Sequence, residues 1–368
     1  MKFYPFKGAA ERNTMIFGSG IPKPKHGTSL VVSHNSALKA YRRGRWNGTA
    51  HSLLEALYPD QLLPSLNPET LAADESLRPL ELPPNVRDIA QLARTLIGET
   101  EQLDLIVGRD RSRRPSTTIR CHVWTGPVSD GLVSCLDMGV YLSGPELLFV
   151  QLAGQLSKIG LLELAYELCG TYAIHPDGTD CRFEVDPLTT PGRLRWLAST
   201  CSGVKGARRA RWAAERALTG SRSPMESKLA ILLSLPRSEG GWDCGIPLLN
   251  HQIALSRAAQ DHCGRTHLDA DLYFERARTD VEYHGRRWHS GLIDKVSDDA
   301  RSNALDMMGI DCNVVWGTQL YDEQAMEGVA RLLRKRSRMR PHRLAETPKM
   351  RHARSSLLDE LGRGSDFD

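Results

Sequence analysis

The chain has 368 residues, of which 40 % are hydrophobic and 25 % charged, with a net charge of +4. That length holds two or three domains, and the composition is that of an ordinary globular protein. No apolar run is long enough to span a bilayer, and the start Met1-Lys-Phe-Tyr-Pro-Phe-Lys7 lacks the apolar core of a signal peptide, so a cytoplasmic protein without a membrane partner is expected. The eight cysteines are scattered without a C-x-x-C pair, which points to reduced, mostly buried thiols and to neither a zinc site nor a disulfide framework.

Residues 1–57 read as a small α/β unit. Thr28–Ser33 is a strand, and Ser33 or Asn35 caps a helix over Ser36–Arg43. Prolines recur over about 58–86, with Pro83-Pro84 near the end, and mark an extended linker or excursion. A helical pattern follows over Asp88–Glu101, then strands at Leu103–Val107, Thr117–Thr125 and Met138–Leu142. Ser143-Gly-Pro-Glu146 reads as a helix start, with Ser143 as cap, Pro145 in the first turn and Glu146 closing a capping box. Buried helices are expected over Glu146–Gln155 and Ile159–Leu168, the second ended by Gly170, followed by Pro191–Thr200 and Val204–Leu218.

From Ser221 the pattern changes. A helix runs over Pro224–Leu235, where Ser223-x-x-Glu226 with Pro224 is again a capping box. Gly240-Gly241 is a turn and Gly245–Leu249 a candidate strand. A hairpin fits His267–His284, because Leu272, Tyr273, Phe274, Val281 and Tyr283 are strand formers flanking the polar Glu275–Arg278. A helix over Asp298–Met308, a strand over Asn313–Gly317 and an amphipathic helix over Asp322–Arg336 complete this part. Residues 341–368 are basic and then acidic, and disorder is expected there.

If Arg276 and Ala277 form the hairpin loop, Asp271 and Glu282 stand opposite each other on one face. Opposed residues hold their Cβ atoms about 4.5–5.5 Å apart, and like charges there repel. A divalent cation relieves the repulsion, and paired carboxylates are the hard-oxygen donors that Mg²⁺ accepts. Two solvated acids on a surface hairpin account for the same spacing. Asp269 has the same parity and competes for the assignment. Basic clusters at Arg109–Arg114, Lys205–Arg216 and Arg331–Arg343 suit a phosphate backbone, although solvated helix faces look the same.

The order Glu226, Asp271, Glu282, His289, Arg301 resembles the very-short-patch-repair endonuclease-like branch of the PD-(D/E)xK nucleases. The pieces are Ser223-Pro-Met-Glu226, Asp271 at the head of a hairpin, Glu282-x-x-Gly285-x-x-x-His289-Ser290 and Asp298-x-x-Arg301-x-x-x-Leu305-x-x-x-Gly309 before Cys312–Trp316. The resemblance covers about the last third of the chain. It implies a restriction-endonuclease-like mixed sheet core of order α-β-β-β-α-β over 221–340, and Mg²⁺- or Mn²⁺-assisted hydrolysis of DNA. Asp271 and Glu282 would hold the metal, with Glu226 reaching it directly or through water. The signature lysine, two residues after the second acid, is replaced by His284, which carries positive charge only when protonated and otherwise serves as a base or weak ligand. His289 falls where the branch carries a histidine. Arg301 can donate a bidentate fork to a phosphate, or pair with Asp294 or Asp298 on its own helix.

In the first 220 residues, Ser33-His34 followed by Ser36-Ala-Leu38, then Val140–Glu146 and Glu167–Tyr172, resembles AbiEi-type abortive-infection antitoxins. Residues 1–30 carry no helix-turn-helix pattern. The expected whole is α/β: an AbiEi-like α/β domain over 1–220 joined to a nuclease-like domain. The activity expected is that of a metal-dependent DNA endonuclease. The alternative is a catalytically inactive DNA-binding regulator or antitoxin.

Overall fold

The structure, a computed structural model, describes residues 29–50, 80–128, 130–137, 139–285, 292–339 and 346–363. The chain is α/β, and its first half is organised around a five-stranded mixed sheet. Strands β1 (Leu30–Val32), β2 (Leu103–Val107), β3 (Ile119–Val123), β4 (Val133–Asp137) and β5 (Val140–Ser143) lie in the order β3-β2-β1-β5-β4. β1 runs parallel to β5 and antiparallel to β2. Every residue of β1 and β2 is buried, as expected of short Val/Ile/Leu runs covered on both faces. Helices α1 (His34–Asn47) and α2 (Val86–Ile97) belong to this layer, and Leu80 and Leu82, at the end of the proline-rich stretch, pack into its core.

Helix α3 (Pro145–Leu152) is buried at every position. Its start is not the capping box expected from Ser143 and Glu146. The cap position is Gly144, which has no side chain to offer, and Ser143 ends β5 with its hydroxyl accepting from Gln151 Nε2 at 3.1 Å. Glu146 turns inward instead and accepts from Arg193 Nε at 2.6 Å. A fully buried carboxylate is better satisfied by a cation than by a backbone amide. Helix α4 (Lys158–Cys169), the hairpin β6 (Tyr172–Ile174) and β7 (Cys181–Phe183), and helices α5 (Pro191–Thr200) and α6 (Ala207–Arg216) complete this half.

The second half runs helix α7 (Pro224–Ser234), β8 (Leu248–Ala254), helix α8 (Arg257–Cys263), β9 (His267–Phe274), β10 (Thr279–His284), helix α9 (Leu292–Asp306) and β11 (Asp311–Trp316). The sheet order is β11-β10-β9-β8: three antiparallel strands, then β11 parallel to β10 after the crossover through α9. The first strand lies later than the Gly245–Leu249 expected, because β8 carries the polar Asn250 and His251 at half-buried positions and Gln252 exposed. α7 packs on α4, and Leu161, Leu164, Leu229 and Leu233 share one core. Residue 220 therefore marks a change of sheet, not a gap in the packing.

After α10 (Gly317–Leu320) and α11 (Glu323–Arg336), residues 348–362, where disorder was expected, form helix α12 (Pro348–Gly362). Its composition is charged, yet Leu357 and Leu361 are buried and Arg354 is 2 % exposed. The Arg354 guanidinium donates to the Gly240 and Gly241 carbonyls at 3.2 and 3.1 Å and lies over the Trp242 ring. Those glycines are required: Gly240 has φ +95°, and a Cβ on Gly241 would come within 2.0 Å of the Leu235 carbonyl. No described helix is long and apolar enough to cross a membrane.

Candidate active site

The hairpin register decides where the acids lie. The turn is the four residues Glu275–Arg278, not a two-residue loop, but it is centred on the same bond, so the register is the one expected. Phe274 pairs with Thr279, Tyr273 with Asp280 and Leu272 with Val281, and the next step sets Asp271 against Glu282. The Tyr283 amide donates to the Asp271 carboxylate at 3.1 Å.

Strand β9 also rolls over at Asp271. Leu268 and Ala270 belong to a smaller core with Ala304, Leu305 and Ile310, whereas Leu272 and Phe274 belong to the main core. Residues of one parity share a face in a regular strand, so the strand turns between them. Its partner position in β8 is Asn250, with φ +46°, a left-handed conformation that asparagine tolerates better than most residues. The roll brings Asp271 within electrostatic reach of Glu226 on α7 as well as Glu282 on β10.

Glu226 sits in the first turn of α7, where the Ser223 hydroxyl accepts from its amide at 3.1 Å. Its carboxylate accepts from the Arg222 amide at 2.9 Å and from Asn250 Nδ2 at 2.6 Å. Capping and site membership are thus both served by one side chain. Burial raises its pKa, opposed by those hydrogen bonds. Burial, then the Glu226 and Glu282 charges, push Asp271 up to about 7.

One acid escaped the sequence reading. Asp280 is fully buried on β10, two residues before Glu282 and on the same face. Burial and the Glu282 and Asp271 charges push it up to about 8. Burial would raise Glu282 as well, but the His284 hydrogen bond, the Arg301 cation and the proton of Asp280 outweigh it and hold Glu282 below the ordinary glutamate range. The signal available in the sequence was the Asp280-x-Glu282 spacing on a strand.

Arg301 of α9 donates to the Asp269 carbonyl, pairs with Glu282 Oε1 and lies 3.4 Å from Asp280 Oδ2. It therefore bridges to the sheet; the side chains of Asp294 and Asp298 lie outside the described residues. Asp269 is drawn off by Arg222 at 2.9 Å and does not compete with Asp271. His284 Nε2 stands 3.4 Å from Glu282 Oε2, and its ring meets Trp316 edge-on at 5.1 Å. Cys312, beside Asp280 on β11, completes the set: one ligand atom from each of Asp280, Glu282 and Cys312 lies within 4.8 Å of the other two. The structure thus gathers Glu226, Asp271, Glu282, His284 and Arg301. His289 lies outside the described residues.

Four carboxylates here face the Arg301 guanidinium and the His284 imidazole, with the Arg222 charge reaching Glu226 but shared with Asp269. Among the described residues, Asp280 Oδ1 is buried without a hydrogen-bond partner. Buried anions in such surplus are costly unless a cation or protons neutralise them, and this hard-oxygen donor set fits Mg²⁺ or Mn²⁺.

The basic clusters are less open than their composition implies. Arg216 pairs with Glu239 at 3.1 Å, Arg334 with Asp243 at 3.3 Å, Arg113 with Asp110 at 3.0 Å and Arg336 with Asp311. Lys205, Arg208, Lys335 and Arg338 are exposed. No protein-family model, curated protein or solved structure matches this chain.

Proposed function

We propose that this chain is a divalent-metal-dependent DNA endonuclease, with a PD-(D/E)xK-like core over residues 221–340 and an AbiEi-like α/β domain before it. The observation that carries the reading is the convergence of Glu226, Asp271 and Glu282, from three elements, beside Arg301. The order α7-β8-α8-β9-β10-α9-β11 supports it, being the order the resemblance implies with the short helix α8 inserted between the first two strands.

Asp271 and Glu282 would hold the cation, and Glu226 would support it. A bound Mg²⁺ or Mn²⁺ supplies charge to polarise a phosphodiester and to lower the pKa of an attacking water. The protein's own groups do the rest. Asn250 and the Arg222 amide fix the Glu226 carboxylate, and the Tyr283 amide fixes Asp271. His284 steadies Glu282 through its hydrogen bond. Arg301, which pairs with Glu282 here, would be the group able to donate a fork to a phosphate oxygen.

The test is incubation of purified protein with plasmid and linear DNA in Mg²⁺, Mn²⁺ or EDTA. Cleavage that needs the metal and is lost in Asp271→Asn and Glu282→Gln is the expected result. A second reading, a non-cleaving DNA-binding regulator, is favoured by one observation: Arg301 already occupies Glu282, and no lysine stands at position 284. It predicts salt-dependent DNA binding with no cleavage by the wild type or by His284→Lys.

A further inference from the structure

We propose that Asp280, Glu282 and Cys312 form a second cation position beside the Asp271–Glu282 pair, sharing Glu282 with it and selecting a thiophilic transition metal over Mg²⁺. The proposal rests on the metal-binding part of the preceding reading, through the shared Glu282, and not on DNA cleavage.

Three observations carry it. First, the sheet places the donors. Asp280 and Cys312 are direct neighbours on parallel strands, and Glu282 is two residues further along the same face. Their ligand atoms lie within 4.8 Å of one another. Donors about 2.0–2.3 Å from one cation span mutual distances of that order. Second, the Asp280 side chain has 0 % exposure, and its Oδ1 has no hydrogen-bond partner among the described residues. A buried carboxylate oxygen left without a donor calls for a cation. Third, Arg301 takes only part of the cluster: it meets Glu282 Oε1 and Asp280 Oδ2 and leaves Asp280 Oδ1 without a partner among the described residues.

The chemistry of the donors sets the selectivity. Two carboxylates and a thiolate suit Mn²⁺, Fe²⁺, Co²⁺ or Zn²⁺, whereas Mg²⁺ takes oxygen ligands and keeps its waters. Binding would deprotonate both the Cys312 thiol and the Asp280 carboxyl, the two protons passing to solvent. None of this uses Asp271 or Glu226, so the two cation positions separate by mutation.

The test uses the full chain, stripped with EDTA and titrated with Co²⁺, because a cobalt–thiolate bond gives a charge-transfer absorption in the near ultraviolet. Wild type should show the band, with calorimetry counting one more Co²⁺ bound than Mg²⁺. Cys312→Ser should remove the band and weaken Co²⁺ binding at least tenfold, while Mg²⁺ binding is unchanged. Asp280→Asn should weaken the band, and Asp271→Asn should retain it. Cys312→Ser exchanges one small side chain for another and keeps the test valid if Asp280→Asn fails to fold. No band in wild type, or a band that survives Cys312→Ser, overturns the proposal. A band without DNA cleavage would instead sink the nuclease reading and leave this site standing.

Discussion

The two halves bury ionised groups in opposite ways. In the first, two buried acids each have their own guanidinium: Glu146 has Arg193 at 2.6 Å, and Glu167 holds both nitrogens of the Arg42 fork at 2.8 and 2.7 Å. Asp104 accepts from His122 at 2.7 Å, and the His122 ring stacks on His34 at 3.7 Å. In the second half, Asp271, Asp280 and Glu282 share one Arg301, with Glu226 beside them under the Arg222 charge. Matched charge holds a fold together. Surplus charge of one sign is a standing cost that a ligand can remove.

Removing a cation from a matched pair should do the most damage. Arg193→Ala leaves Glu146 buried and uncompensated, and should lower unfolding stability by about 3–5 kcal/mol. Asp280→Asn, measured by urea unfolding in EDTA, should cost little or raise stability, because it removes repulsion. Equal losses for the two variants would erase the distinction between the halves.

The halves should also respond to pH with opposite slopes. Burial, then the His122 charge, lowers the His34 pKa to about 3, so the fold requires it neutral. The unfolded chain takes up that proton below its ordinary value of about 6.5. Stability from this group is therefore present above that pH and is lost as pH falls toward 3, by up to about 4 kcal/mol. His34→Asn tolerates the φ of +48° found there and should abolish this part of the acid loss. Asp271 and Asp280, raised to about 7 and about 8, run the other way. Their contribution is present below the unfolded value of about 4 and is lost as pH rises through 7 and 8. In EDTA at pH 8, Asp271→Asn should be more stable than wild type by about 1–2 kcal/mol, a gain that shrinks when Mn²⁺ is added. Urea midpoints across pH 4–8 for the three proteins check both slopes, and parallel curves would refute them.

What the sequence made legible follows from how local the deciding interactions are. Helix α5 was read with its observed bounds, and the hairpin with its register, because a proline at N1 and a polar run between strand formers are local signals. Glu146 was misread because a capping box and a buried ion-pair partner have the same local sequence; only Arg193, 47 residues away, tells them apart. α12 was misread because its charge hid Leu357 and Leu361, whose burial depends on partners far along the chain. Asp271, Glu282 and Arg301 could be named in advance, whereas Asp280 offered only its spacing to Glu282 and Cys312 offered no signal. Their role depends on β11 lying beside β10, a pairing of strands separated by α9.

The smallest expected effect divides the basic clusters by the same criterion of matched against unmatched charge. Arg216 and Arg334 carry their own carboxylates, whereas Lys205 and Arg208 on α6 and its approach are exposed. A cation already paired within the protein displaces few counterions when DNA arrives; an exposed one displaces about 0.9 per phosphate contact. Replacing Lys205 and Arg208 by Gln should therefore flatten the plot of log affinity against log salt by about 1–2 units in slope, with stability within about 0.5 kcal/mol of wild type. Replacing Arg216 or Arg334 should leave the slope unchanged and cost about 1 kcal/mol, consistent with a partly buried pair. Fluorescence anisotropy on a labelled duplex at several salt concentrations measures the first effect, and urea unfolding the second. If all four substitutions flatten the slope equally, internal pairing does not decide which cations meet DNA. If affinity is independent of salt, these clusters are solvated faces and the DNA path lies elsewhere.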